Sequence, residues 1–184
     1  MGRLQSFGKA DLALLQCARL DAEALVKSFY ALAPREWERM NYEVRTLREL
    51  EPEEISDEAF AQVRCYELTR RVGQTVIDRY DLYRICLQDH RILQAARRTL
   101  SDWPAAGEQV LKPLLLYVLT HELVHVVRFA QQMQRLDLAP ELRPQEEMSV
   151  EQTTRQILAP VADRSLRCVL ETFGHGCRPT YRPN

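Results

Sequence analysis

Apolar residues recur at three- and four-residue intervals through much of this chain, the period of a helix with one buried face. The first such stretch, Ala10 to Ala33, opens after Lys9 with Asp11 near its cap. It carries Leu12, Leu15, Ala18, Ala22, Leu25 and Phe29 as one stripe, and Pro34 stops it. A second helical stretch runs from Arg35 to Leu50, although Asn41 to Leu47 alternates and reads equally as a short strand. Ser56-Asp57-Glu58-Ala59 has the form of a cap with an acidic first turn and predicts a helix through about Val72 and Gly73. Asp81 to Gln88 alternates Leu82, Arg84, Cys86 and Gln88 against Tyr83, Ile85 and Leu87, which predicts a strand; the competing reading is one long helix from Val76 to Leu100.

From Ala105 to about Arg135 only Gly107 and Pro113 interrupt a helical pattern, and Pro113 either lies in a first turn or kinks a longer helix. The run Leu114-Leu115-Leu116-Tyr117-Val118-Leu119 makes this helix apolar almost all round, the mark of a buried element. The prolines and charges of Leu138 to Pro144 break the chain, and Gln145 to Leu158 reads as a further helix ending near Pro160. The pattern as a whole predicts a predominantly α fold, or an α+β fold with a small sheet if Asp81 to Gln88 is a strand. It predicts one compact domain over residues 1–184 with a flexible tail from about Arg178 to Asn184.

Into the greasiest helix the chain places His121-Glu122-Leu123-Val124-His125. Positions i and i+4 lie on one helical face, so both imidazoles can reach one metal ion, and the glutamate beside the first histidine points at the ion's open position. Zinc held by neutral imidazoles lowers the pKa of its water to about 7, and a carboxylate in Glu122's place can take that proton and pass it to a leaving amine. The competing reading makes His121 and His125 core histidines hydrogen-bonded to carboxylates, with Glu122 paired to Arg128 or another arginine. Three polar groups at ligand spacing on an otherwise apolar helix favour the metal, because each would cost several kcal/mol if buried alone.

A zinc hydrolase needs a third protein ligand, and the helix after the break offers Glu146, Glu147 and Glu151. Here the chain resembles the gluzincin branch of the HExxH zinc metallopeptidases (zincins), in which the motif is followed by a second helix bearing a glutamate ligand. In thermolysin-like members an acidic residue four positions later supports one of the zinc-bound histidines. The resemblance covers roughly Leu114 to Leu158 and implies a zincin-like fold, Zn2+ held by His121, His125 and Glu147, Glu122 as general base, and Glu151 in the supporting position. The family more often has Asp at that supporting place, and Met148, Ser149 and Val150 replace its usual small residues, so Glu151 stays open as the alternative ligand. Glu146 ranks third, because it lies about 100 degrees around the helix from Glu147 and suits an acidic first turn.

His175, in the glycine-flanked Phe173-Gly174-His175-Gly176-Cys177, is a further candidate for third ligand or oxyanion donor, with Cys177 beside it as a soft ligand. His90 follows Asp89 in a stretch better explained as a helix start. Tyr117, one turn before His121, is either an oxyanion donor or a core aromatic. Glu122-x-x-His125 is also the ligand unit of di-iron bundles. Such bundles need a second unit of that kind, which this chain lacks.

The composition is that of a soluble globular protein, 46% apolar and 28% charged, and the net charge of -1 argues against nucleic-acid binding. Five cysteines, an odd number without a CxxC pair, suggest a reducing compartment. With no apolar leader and a longest unbroken apolar run of only six residues, the expectation is a cytoplasmic protein without a membrane segment. These readings converge on a cytosolic zinc-dependent metallohydrolase, a peptidase acting on a peptide or protein substrate. The alternative is a non-catalytic metal-binding or regulatory helical protein whose site is structural or inactive.

Overall fold

The computed structural model describes residues 4–73, 75–102, 110–133 and 140–174. Among these, α1 (Lys9–Phe29) and α2 (Pro34–Arg39) precede β1 (Tyr42–Arg45). The hairpin β2 (Ala61–Val72) and β3 (Thr75–Leu87) follows, and then α3 (Asp89–Asp102), α4 (Leu111–Ala130), α5 (Arg143–Leu158) and α6 (Arg164–Phe173). The fold is α+β, predominantly helical, with one small mixed sheet.

α4 is the centre of the molecule. It packs on α1, α3, α5, α6 and β2, and fourteen of its 20 residues are buried, His121, Glu122 and His125 among them. Pro113 lies in its first turn, where the proline's missing N–H costs nothing, so the helix is not kinked there. α4 has the length and mean hydropathy (1.2) of a membrane span, but 78% of that apolar window is covered by the rest of the fold. α1 lies against it through Leu15, Ala18, Ala22 and Val26. The expected stripe is correct in its middle and not at its ends. Leu12 and Phe29 are exposed, because a 3.6-residue period drifts off the contact line over five turns.

Strand order is β1-β3-β2, with β1 parallel and β2 antiparallel to β3. The Ser56 to Val72 helix expected from the cap-like tetrapeptide is corrected to a loop and a strand. Ala61 and Val63 point to the core while Gln62 and Arg64 point away from it, a period of two that cross-strand pairing with β3 rewards. The cap-like residues serve other partners: the Ser56 hydroxyl accepts from the Glu58 amide at 3.2 Å, and Asp57 meets His90 at 2.8 Å. The Asp81 to Gln88 segment is a strand, not part of a long helix. It is the central strand, with Tyr83 to Cys86 paired on both sides. The short alternating stretch after Asn41 is the parallel edge strand β1.

The sheet's other face is covered by the segment around Glu54. Gln62 and Gln88 both donate to the Glu54 carbonyl, at 2.7 and 2.8 Å, while Tyr66 and Arg84 donate to its carboxylate at 2.6 and 2.9 Å. Burial alone would raise the Glu54 carboxyl, but Tyr66, the Glu51 amide and Arg84 hold it down at about 2. Asp89, fully buried at the start of α3, accepts from the amides of Phe7 and Leu47 at 2.8 and 3.0 Å and so ties the chain's beginning to the sheet. Among the described cysteines Cys86 and Cys168 are buried, Cys17 is exposed, and none forms a disulfide.

Candidate metal centre

The pitch of α4 sets His121 and His125 one above the other, their ring centroids 5.0 Å apart, on the face that looks at α5. α5 starts at Arg143 with Pro144 in its first turn, and the next turn brings Glu147 opposite both rings. One carboxylate oxygen faces each imidazole: Oε2 lies 3.4 Å from Nε2 of His121, and Oε1 lies 3.4 Å from Nε2 of His125. All three side chains are buried, with relative exposures of 3%, 1% and 7% for His121, His125 and Glu147. Their ligand atoms lie within 4.8 Å of one another.

Those separations are longer than good hydrogen bonds and compatible with a shared metal ion. A good N–H···O contact spans about 2.7–3.2 Å. Two ligands each about 2.0–2.1 Å from a tetrahedral zinc lie about 3.4 Å from each other. Neither ring nitrogen of the buried His121 has a hydrogen-bond partner among the described residues, nor has Oε2 of Glu122. A divalent cation between the two Nε2 atoms and Glu147 would satisfy His121 and supply charge compensation that a buried carboxylate needs. Two neutral nitrogens and one carboxylate oxygen form a donor set suited to zinc.

The ionisable groups of the cluster shift one another against the effect of burial. Burial would lower the His121 imidazole, but the facing carboxylates of Glu147 and Glu151 raise it. Burial would likewise raise Glu147, and the two imidazoles hold it far below the ordinary carboxylate range. Glu151 is lowered against its burial by His121 and Tyr117. Burial raises the Glu122 carboxyl, and the neighbouring histidines only partly offset this. The buried cluster is thus a set of imidazoles and carboxylates that stabilise one another's charge.

The other candidates separate clearly. Glu151 faces the opposite nitrogen of His121, its Oε2 lying 3.6 Å from Nδ1, on the far side of the ring from Glu147. Tyr117 is buried and donates its hydroxyl to that same Oε2 at 2.7 Å. Glu146 is ion-paired with Arg128, whose Nε donates at 2.6 Å, so Arg128 is committed to Glu146 and not to Glu122. His90 is on α3, held by Asp57 and outside the cluster. His175 and Cys177 lie outside the described residues, as does the tail from Arg178 to Asn184.

Two contributions to the site are not evident from the sequence motifs. Phe129 stacks on His125 and Tyr83 stacks on Phe129, with centroids 6.0 and 6.1 Å apart, a ring column that props the second histidine against the sheet. Arg155 donates to Glu151 at 3.2 Å from the other side. Residues four apart on a helix, His125 and Phe129 or Glu151 and Arg155, are the local signal of both contacts. No family model, curated protein or solved structure matches this chain, so its site is read on its own chemistry.

Proposed function

We propose that this protein is a mononuclear zinc-dependent hydrolase, a peptidase of the HExxH type with a gluzincin-like ligand set: His121, His125 and Glu147 for the metal and Glu122 for the proton. The observation that carries the reading is the burial together of His121, His125 and Glu147, a carboxylate oxygen 3.4 Å from each Nε2 and the ligand atoms within 4.8 Å of one another, a donor set that would hold one zinc ion. When bound, zinc supplies a Lewis acid and an acidified water.

The chain's own residues do the rest. Glu122 follows His121 directly on α4, is almost fully buried, and has an oxygen without a partner among the described residues. A carboxylate so placed accepts a proton from water and returns it to the leaving amine. Glu151, which accepts from Tyr117, faces Nδ1 of His121 at 3.6 Å while Glu147 faces its Nε2, so the two carboxylates bracket the ring. The set of one carboxylate and two histidines supports one metal ion rather than a di-iron pair. A peptide or protein is the substrate class this chemistry suits, and the cytoplasm the compartment the cysteine usage suits.

Glu122→Gln tests the mechanism. The variant is expected to bind zinc as wild type does and to lose peptide hydrolysis by about 100-fold or more, measured on a mixed peptide library. Undiminished turnover would remove Glu122 from the chemistry. A second reading, a metal held for stability alone, draws on the near-complete burial of His121 and His125. In that case a fourth protein ligand closes the site, and the cobalt-substituted protein's visible spectrum will not respond to added small anions.

A further inference from the structure

α6 ends at Phe173, where the Gly174 amide closes the last turn on the Leu170 carbonyl at 3.1 Å. Arg155 of α5 adds further donors at this helix end. Its Nη2 donates to the Leu170 carbonyl at 2.5 Å and its Nε to the Gly174 carbonyl at 3.1 Å. The same Nε lies 3.2 Å from Oε1 of Glu151, whose other oxygen accepts from Tyr117 and faces Nδ1 of His121. A planar guanidinium with donors in a fixed fork can serve acceptors on two elements at once, which a single ammonium does less well. A cation is also favoured at a helix C-terminus.

Gly174 is fitted to this arrangement. It is buried, and a Cβ there would fall 2.5 Å from Nη2 of Arg155, 2.6 Å from its Nε and 2.5 Å from the Leu170 carbonyl oxygen. No larger residue leaves the guanidinium where it is.

We propose that Arg155 is a positioning residue for the metal centre: by gripping the end of α6 and the Glu151 carboxylate together, it fixes the carboxylate that orients His121, so that metal affinity depends on the docking of α6. The inference rests on the metal reading of His121, His125 and Glu147. Arg155 touches neither metal nor substrate; it acts through Glu151.

The test is a double-mutant cycle on the full chain, with zinc affinity read by competition against a chromophoric chelator. Arg155→Met is expected to weaken zinc binding about 10-fold or more, the usual cost of losing support for a ligating histidine. In a Glu151→Gln background the same substitution is expected to change affinity less than about twofold, because the route to His121 is already cut. Additive losses, or an unchanged affinity in Arg155→Met, would overturn the proposal. Gly174→Ala, whose Cβ would crowd both the guanidinium and the Leu170 carbonyl, should repeat the pattern and serves where Arg155→Met does not fold. Wild-type protein that binds no zinc overturns the metal reading and this inference with it, whereas wild type that binds zinc with Arg155→Met indistinguishable from it overturns the inference alone.

Discussion

Glu147 and Glu151 stand one turn apart on α5 and address opposite nitrogens of the same imidazole, Nε2 and Nδ1 of His121. Position alone therefore assigns them different tasks, and substitution separates those tasks. Glu147→Ala is expected to abolish zinc binding, Glu151→Ala to weaken it about 10- to 100-fold, and Glu146→Ala to leave it unchanged while releasing Arg128. Equilibrium dialysis against zinc measures all three; loss of binding in Glu151→Ala with retention in Glu147→Ala would reverse the assignment. Much of this cluster is legible in the sequence, because His121, Glu122 and His125 are joined by local helical spacing and Glu147 and Glu151 by another turn of the same kind. What is not legible is the choice between the two glutamates, or the grip of Arg155 on Leu170 and Gly174. Both depend on the rotation of α5 and the seat of α6, which local spacing does not encode.

At the scale of elements, α1 is readable because its 3.6-residue period is repeated several times over, α4 because it is apolar almost all round, and α5 because prolines bracket it. β2 is not. Ser56, Asp57 and Glu58 imitate a helix cap, and the alternation of Ala61 to Tyr66 is only a few residues long, so the strand is decided by its pairing with β3. The sheet's polar face offers a prediction of its own. Glu54 is buried and its carboxyl is depressed to about 2, so the stability contributed by its bonds to Tyr66 and Arg84 is present above the unfolded value, near 4.5, and is lost as pH falls toward 2. Urea unfolding at pH 6 should find Glu54→Gln less stable than wild type by on the order of 2 kcal/mol, with the gap shrinking at pH 3. A gap that is constant with pH would mean that the charge on Glu54 contributes nothing.

For the whole molecule, the buried cluster of His121, His125 and Glu147 joins α4, on which the core is built, to α5. A cation bound between them would add a cross-link that only the folded state can make. At a free zinc concentration about 100-fold above Kd the gain is about 2.7 kcal/mol, or about 5–10 °C in Tm for a chain of this size. Chelation should reverse that shift, and a Tm indifferent to chelator would argue against a site in the core. The most direct test is elemental mass spectrometry of the purified full chain beside His121→Ala. One zinc per chain in the wild type and none in the variant is the predicted result. Wild-type protein that stays free of zinc after zinc is added back, or a His121→Ala variant that keeps it, would contradict the metal centre.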